Sequence, residues 1–329
     1  MSKDPSHHFR ATRRRLLGAA FAATASGGAR ANPAWPNQPV RIVLPFAPGG
    51  PFEPISRIVA GWFSSRFGQP FVIDNRPGAT GTIGAAAVAR SAPDGYNLLL
   101  TSNSSIVVAP LVLRTAGIDP MKDFAPISVL QSYGLYLVVN PSVPAHDVAG
   151  FVAYARANPG VLNYTSPGIG SGGHLATEMF CRLAGIDAQH VGFSGPGAGL
   201  VAISRGDAHF ALDSVGSAQG FVAEGRLRGL ALTGTQRSAV VPDVPTFAEA
   251  GFPDFQAEIW MGLWGPARLP TPIVDRLSEA CDACLSDPQV RERLLANSFT
   301  PGGGGAEAVN ARIRAERPKW VEAARLARL

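Results

Sequence analysis

Short apolar runs alternate with amphipathic stretches along most of this chain, and that alternation constrains its fold more than any other feature. Strand-like runs fall at 41–45, 71–74, 97–101, 136–140, 162–165, 188–191, 208–212 and 230–233. Helical patterns occupy 55–67, 81–90, 147–157, 174–184, 197–205, 217–223, 246–250, 272–285, 287–296 and 306–326. Such alternation predicts an α/β architecture with mostly parallel sheets. The last block, 272–329, is too poor in strands to form an α/β domain alone. It must pack on an earlier part of the chain, which makes one lobe discontinuous in sequence. With 329 residues, of which 46% are hydrophobic and 16% charged, the chain can build two domains rather than one.

Sheets of this class bind ligands beyond the carboxyl ends of their strands. Gly49-Gly50, the 101–104 loop with Ser102, the 167–173 loop and Asp213-Ser214 all follow predicted strands, so all four lie where a ligand is expected. The first is the clearest. The run Arg41-Ile42-Val43-Leu44-Pro45 enters a Pro/Gly turn, and a helix with Ile55, Ile58, Val59, Trp62, Phe63 and Phe67 on one face follows at once. Pro54 suits the first helical position, and Gly68 suits the stop. Unpaired N–H groups and the positive end of the helix dipole then point into the turn, which favours an anion.

The second glycine loop, Gly168-Ile169-Gly170-Ser171-Gly172-Gly173, fits G-x-G-x-x-G after the strand at 162–165. A dinucleotide site also wants an acid about 20 residues on. The chain there reads Val191-Gly192-Phe193-Ser194, with no carboxylate, so a nicotinamide cofactor is not expected. What remains is a glycine loop opening onto a helix, suited to a small anion. His174, at the start of that helix, serves either as a donor to a ligand or as an ordinary first-turn residue. Asp213, ending a strand, either receives a donor from the ligand or caps the turn through Ser214.

Other chemistries are excluded by what they need. Gly192-Phe193-Ser194-Gly195-Pro196 has proline where a nucleophile elbow needs its last glycine. His146, His174, His190 and His209 form no ligand spacing, and Cys281-x-x-Cys284 has no second pair, so no metal is expected. Without a nucleophile–base pair or a metal, catalysis is not expected. Cys181, Cys281 and Cys284 read as packed or half-exposed thiols. His190 and His209 read as satisfied core residues rather than ligands, Trp260 and Trp264 as packing of the interlobe strand or as cleft lining, and Arg57 and Arg76 as structural ion-pair or surface residues, or as partners of a ligand carboxylate.

The formal charge of +5 is misleading. Residues 1–31 hold six of the 29 basic residues and one of the 24 acids, leaving 23 of each in the remainder. A neutral body argues against nucleic acid as a partner. The same 31 residues read as a targeting segment: Arg13-Arg14-Arg15 precede an apolar run, and Ala29-Arg30-Ala31 fits a cleavage site. Cleavage after Ala31 and export to the periplasm are expected, and no later run is long enough to span a membrane.

The chain resembles the Bug-type solute-binding receptors, the extracytoplasmic components of tripartite tricarboxylate transporters. The resemblance runs through 38–50, Gly68-Gln69-Pro70, Asn75-Arg76-Pro77-Gly78-Ala79, Ala92-Pro93-Asp94-Gly95-Tyr96, Asp123-Phe124-Ala125-Pro126-Ile127-Ser128 and Pro242-Asp243-Val244-Pro245-Thr246 to the helix of Trp320. Each string alone is weak, and their shared order is specific. The resemblance implies a two-lobed periplasmic binding protein fold with the ligand cleft between lobes. It places one lobe at 32–132 plus 256–329 and the other at 133–255, with crossings near 136–140 and 259–265.

In this family two loops grip a carboxylate, largely through backbone N–H groups and waters. By position these are Phe46, Ala47, Gly49, Gly50 and Pro51 in the first lobe, and the 168–174 loop, with Gly168, Gly170, Ser171, Gly172 and His174, in the second. The resemblance therefore implies a monomeric receptor that captures a small organic acid and passes it to polytopic membrane transporter subunits. Presentation to a membrane signalling kinase would need the same cleft. Three departures concern specificity. Glu53 stands where the family usually has Asp, and Gly172-Gly173 replaces bulkier residues, which is expected to loosen the second grip. The family's V-P-Y-K-G reads Val191-Gly192-Phe193-Ser194-Gly195, so Ser194 cannot hold a second carboxylate by charge. That leans away from a tricarboxylate such as citrate.

Overall fold

The structure, a computed structural model, describes residues 1, 35–48, 50, 52–113, 117–193 and 196–326. The targeting segment expected over 1–31 lies outside the described residues, Met1 apart, as do Gly49, Pro51 and Ser194. The strands and helices all belong to the compact unit Gln38–Leu329.

Ten strands of the described residues form one curled sheet in two parts. In the first, β1 (Val40–Leu44) pairs in parallel with β2 (Phe71–Asn75) and β3 (Asn97–Ser102), and β3 pairs antiparallel with β9 (Glu258–Pro266). In the second, β5 (Leu162–Ser166) pairs in parallel with β6 (Ala188–Gly192) and β7 (Phe210–Ser214). The parallel strands are those the alternation announces. The antiparallel ladders centre on β4 (Phe124–Val139), a strand of 16 residues that runs through both parts. From Phe124 to Gly134 it pairs with β9, and from Leu135 onward with β7 and with β8 (Arg228–Leu232). The short β10 (Thr300–Gly303) lies along its other edge. The pairing is therefore mixed, because the strand that joins the two lobes returns against its neighbours instead of through a helical crossover.

The helices are α1 (Glu53–Phe67), α2 (Thr82–Ala89), α3 (Ala109–Val112), α4 (Val148–Ala157), α5 (Gly172–Ala184), α6 (Pro196–Arg205), α7 (Val215–Ala223), α8 (Thr271–Ser286), α9 (Pro288–Leu295) and α10 (Gly305–Leu326). Two differences from the sequence reading stand out. The 246–250 stretch is a turn, closed by one Ala250 N–H bond to Thr246 O, because Thr246 is drawn into a bridge with Leu232 and cannot start a helix. In α1 the first residue is Glu53, so Pro54 takes the second position. The C-terminal block packs on earlier structure as expected, with α8 and α10 against β4.

Each part has its own aromatic core. Phe63 on α1 meets Phe67 and Phe71 edge-on, with centroids 5.7 and 5.2 Å away. In the other part Phe180 on α5 packs among Phe151, Phe247, Phe252 and Phe255. Burial of each such ring contributes about 1.5–3 kcal/mol. Cys181, Cys281 and Cys284 are buried free thiols. Among the described residues no helix is long and apolar enough to cross a membrane, and no cluster of side chains could hold a metal ion.

At the residue where β4 changes partners, a Cβ on Gly134 would stand 2.5 Å from the Gly234 backbone nitrogen. Backbone cannot yield there as a side chain could. Gly134→Ala is expected to lower unfolding free energy by about 1–3 kcal/mol, read as a shift of the urea midpoint at unchanged slope.

Candidate functional site

A cavity of about 700 Å³ opens between the two parts of the sheet. Its first wall is the turn after β1. There Asn75 Nδ2 donates to Phe46 O (3.0 Å) and Glu53 N to Gly50 O (3.1 Å), which holds the turn at the start of α1. Glu53 itself does not line the cavity. It turns along its helix to pair with Arg57, which accounts for both residues without a ligand. Arg76 likewise pairs with Asp74 at 2.8 Å.

The loop after β2 forms the second wall, and the sequence reading missed it. Ala79 and Thr80 sit at φ 45° and 52°, in the left-handed region that non-glycine residues enter at a cost of roughly 1–2 kcal/mol each. The strained turn aims Thr80 Oγ1 across the mouth, where it donates to Ile169 O at 2.9 Å. Behind it, β3 ends in Ser102 and a π turn over Ser104–Val108, a local irregularity often found at functional sites. Asn103 anchors this end, donating through Nδ2 to Glu258 O (3.2 Å) and Glu316 Oε2 (3.0 Å). The Ser102 hydroxyl is buried and has no protein partner among the described residues.

The opposite wall carries two helix starts. Ser171 caps α5 by accepting from His174 N (3.2 Å), and Ser214 caps α7 by accepting from Ser217 N (3.2 Å). First-turn N–H groups have no partner within their own helix. On α5, Gly172 N donates to Ser104 Oγ across the cleft (3.1 Å), and Gly173 N has no partner among the described residues. Gly172 does not loosen this wall. A Cβ there would lie 2.3 Å from Ile259 Cδ1 and 2.6 Å from Ser104 Oγ, so the missing side chain is what lets the helix end come close.

The cavity thus brings together Phe46, Ala47, Gly50, Ser102, Gly168, Ser171, Gly172 and Asp213 from the sequence reading, with Ser104 and Ser214 from the same predicted loops, and adds Thr80, Tyr133, Ser217 and Ile259. Gly170 and His174 are not in its lining. Gly170 is packed against Val112, and His174 lies behind the loop as a support. His174 Nδ1 accepts from Gly170 N (3.2 Å), and its ring stacks on His190 with centroids 3.9 Å apart. His190 Nε2 in turn meets Ser166 Oγ at 2.7 Å, and the Tyr164 hydroxyl donates to Glu178. Burial, then the neighbouring His190, push the His174 pKa down to about 4, and burial lowers that of His190. His209, outside the cluster, is paired with Asn163. A shallower depression of about 490 Å³ against α1 and α9, lined by Arg57, Trp62 and Arg293 among others, includes neither glycine loop.

Among the described residues the cavity lining holds no lysine, arginine or histidine. Its titratable groups are Asp213 and Tyr133. Burial pushes the Asp213 carboxyl up to about 7, against the pull of its hydrogen bonds with Ser214. Burial and the Asp213 charge raise the Tyr133 hydroxyl well above the usual phenol range. An anion here is offered backbone dipoles, hydroxyls and an apolar aromatic wall.

The family profile described as "Tripartite tricarboxylate transporter family receptor" matches residues 55–324. BugT of Bordetella pertussis is 30% identical over 87% of this chain and 88% of its own length. Among solved structures, Rpa4515 of R. palustris with adipate superposes with a TM-score of 0.84 at 33% identity, over 89% of this chain and 98% of that one. MatC from Rhodopseudomonas palustris with bound malate gives 0.81 at 31%, over 88% of this chain and 100% of that one.

The histidine pair makes stability pH-dependent in a defined direction. A His174 held neutral in the folded state binds its proton more weakly than in the unfolded chain, where the value is 6.5. The unfolded state therefore gains protons first. This contribution is full above about pH 6.5 and is lost progressively as pH falls toward about 4. Asp213, raised to about 7, titrates in the opposite sense over the same window, so the test is a difference: from pH 7.5 to 4.5 the wild-type urea midpoint should fall relative to that of His174→Gln, which can still accept from Gly170 N.

Proposed function

This chain belongs to the tripartite tricarboxylate transporter receptor family, and from that membership we propose that it captures a small organic acid in the cleft and delivers it to a membrane transporter. The observation that carries the reading is the cleft itself: two glycine turns at helix N-termini face each other across a cavity whose described lining holds no cationic side chain. A carboxylate bound there is held by oriented N–H groups at helix starts, where the helix dipole favours an anion. The adipate and malate bound in similar proteins support a carboxylate as the ligand. The family is one of transporter receptors and its neighbours are periplasmic binding proteins, which supports binding rather than turnover as the role of this site.

Capture works by differential contact. The first two walls belong to the lobe of β1–β3 and the opposite wall to the lobe of β5–β7, so only a closed cleft lets one ligand touch both lobes, and binding shifts the population toward closure. We place the hinge at Gly134-Leu135, where β4 changes partners, and at the start of β9, with lobes of 32–132 plus 256–329 and 133–255. The Thr80–Ile169 and Gly172–Ser104 hydrogen bonds are the latch of the closed form. Export through the 1–31 segment, with removal after Ala31, puts the mature receptor in the periplasm. There it acts as a monomer and meets the polytopic transporter subunits.

A thermal-shift screen of mono-, di- and aromatic carboxylates tests the reading. A true ligand at about 100 times its Kd adds about 2.7 kcal/mol of stability. Stabilisation by uncharged solutes alone would sink the carboxylate assignment. Gly50→Leu probes the first wall: a Cβ there makes an ordinary 3.4 Å contact, so the protein folds while the added side chain enters the cleft. Affinity is expected to drop about tenfold or more by calorimetry, a loss of about 1.4 kcal/mol or greater.

A further inference from the structure

The carboxylate grip leaves one group in the cleft unexplained, and it has the wrong sign for an anion site. Asp213, next to last in β7, stands opposite Tyr136 of β4 and is 8% exposed. Its Oδ1 accepts from Ser214 N at 2.6 Å, and no cation pairs with it among the described residues. A carboxylate buried this far without a cation is costly unless something supplies a donor. Among the described residues Ser214 donates to it, and the other titratable group in the lining, Tyr133, is a neutral hydroxyl, so the carboxylate is hydrogen-bonded by its neighbour but has no counter-charge. The same lining holds an aromatic row: the ring centroids of Phe46 and Phe52 are 4.5 Å apart, and those of Phe52 and Tyr133 6.3 Å, with Tyr133 feeling the Asp213 charge.

The cleft therefore offers an amide end, an aromatic wall and a buried acceptor. We propose that Asp213 sets the ligand class: the cleft selects a monocarboxylate carrying a second group that donates a hydrogen bond, a hydroxyl or an ammonium, and rejects dicarboxylate dianions. This rests on the carboxylate-receptor reading of the same site. A ligand of this kind fills both ends, its carboxylate on the backbone N–H groups and its donor on Asp213. A dianion leaves its second charge beside an uncompensated carboxylate, where like charges repel. The ligand's donor then adds to the neighbour, Ser214, that the buried acid bonds within the protein.

The test uses two probe series that differ only in the terminal group. One is butyrate, 4-hydroxybutyrate, 4-aminobutyrate and succinate; the other is hexanoate, 6-hydroxyhexanoate, 6-aminohexanoate and adipate. Calorimetry on the wild-type protein at pH 8 should rank hydroxyl or ammonium above methyl, and methyl above carboxylate, in at least one series. The donor-bearing acid should bind about tenfold or more tighter than the diacid. Asp213→Asn should erase that gap. At pH 6, where Asp213 gains its proton, the diacid should bind better and the amino acid worse, an arm that needs no variant. A diacid that binds wild type at pH 8 as tightly as its donor-bearing partner overturns the selectivity, as does an Asp213→Asn rank order equal to wild type. If no member of either series binds while an uncharged solute does, the carboxylate reading falls and this inference falls with it.

Discussion

The continuous ladder of β4 is the constraint on which the rest of this molecule depends. A single strand that hydrogen-bonds to β9 along its first part and to β7 and β8 along its second ties both lobes to one backbone. It changes neighbours near Gly134, where pairing with β9 gives way to pairing with β7 and β8. Because β4 and β9 are buried along most of their lengths, the ladder is shielded from water and from exchange of partners. The helices α8 and α10 reinforce it from the C-terminal end of the chain.

Electrostatics in the cleft follow from what the fold leaves uncompensated. Helix starts supply partial positive charge without side chains, and a serine cap on each of the two in the second lobe fixes which N–H groups stay available. Behind the second loop, the stacked histidines and the Tyr164–Glu178 pair hold the glycine turn from beneath. The histidines stay neutral because burial penalises their charged forms, so they add no long-range field to the site. Recognition is thus separated from structural charge. Asp213 is the exception, and its position near a strand end, in the same lining as the aromatic row, makes it the polar feature by which ligands can be told apart.

Much of the fold is legible in the sequence, and the failures have physical causes. The outer parallel strands are readable because Pro/Gly turns punctuate them and each is followed by an amphipathic face. The first part of β4 is not, since Ala125, Pro126, Ser128, Gln131, Ser132 and Gly134 lack the profile of a buried central strand. Pro126 is tolerated because the register shifts between Pro126 and Ser128, which removes the need for its missing N–H. The apolar residues of 246–250 mimic a helix, but a bridge between Leu232 and Thr246 decides their shape. In the site, both glycine turns can be found from the strand–turn–helix pattern. Thr80 and Tyr133 cannot, because each reaches the cleft through tertiary packing and neither carries a local signal. His174 has the right loop and the wrong side, a distinction set by ring stacking that no spacing encodes.

The backbone grip has a consequence for how such receptors can diversify. Amide donors exist at every residue except proline, so most substitutions around the two turns leave anion capture intact. Only changes that fill the space of a glycine, as at Gly172, would remove it. The opposite holds for Asp213, Tyr133 and the aromatic wall, where each side chain can be exchanged without unmaking the carboxylate hold. A lineage built on this plan can change its nutrient by a single mutation while its anchoring point stays silent to selection on side-chain chemistry.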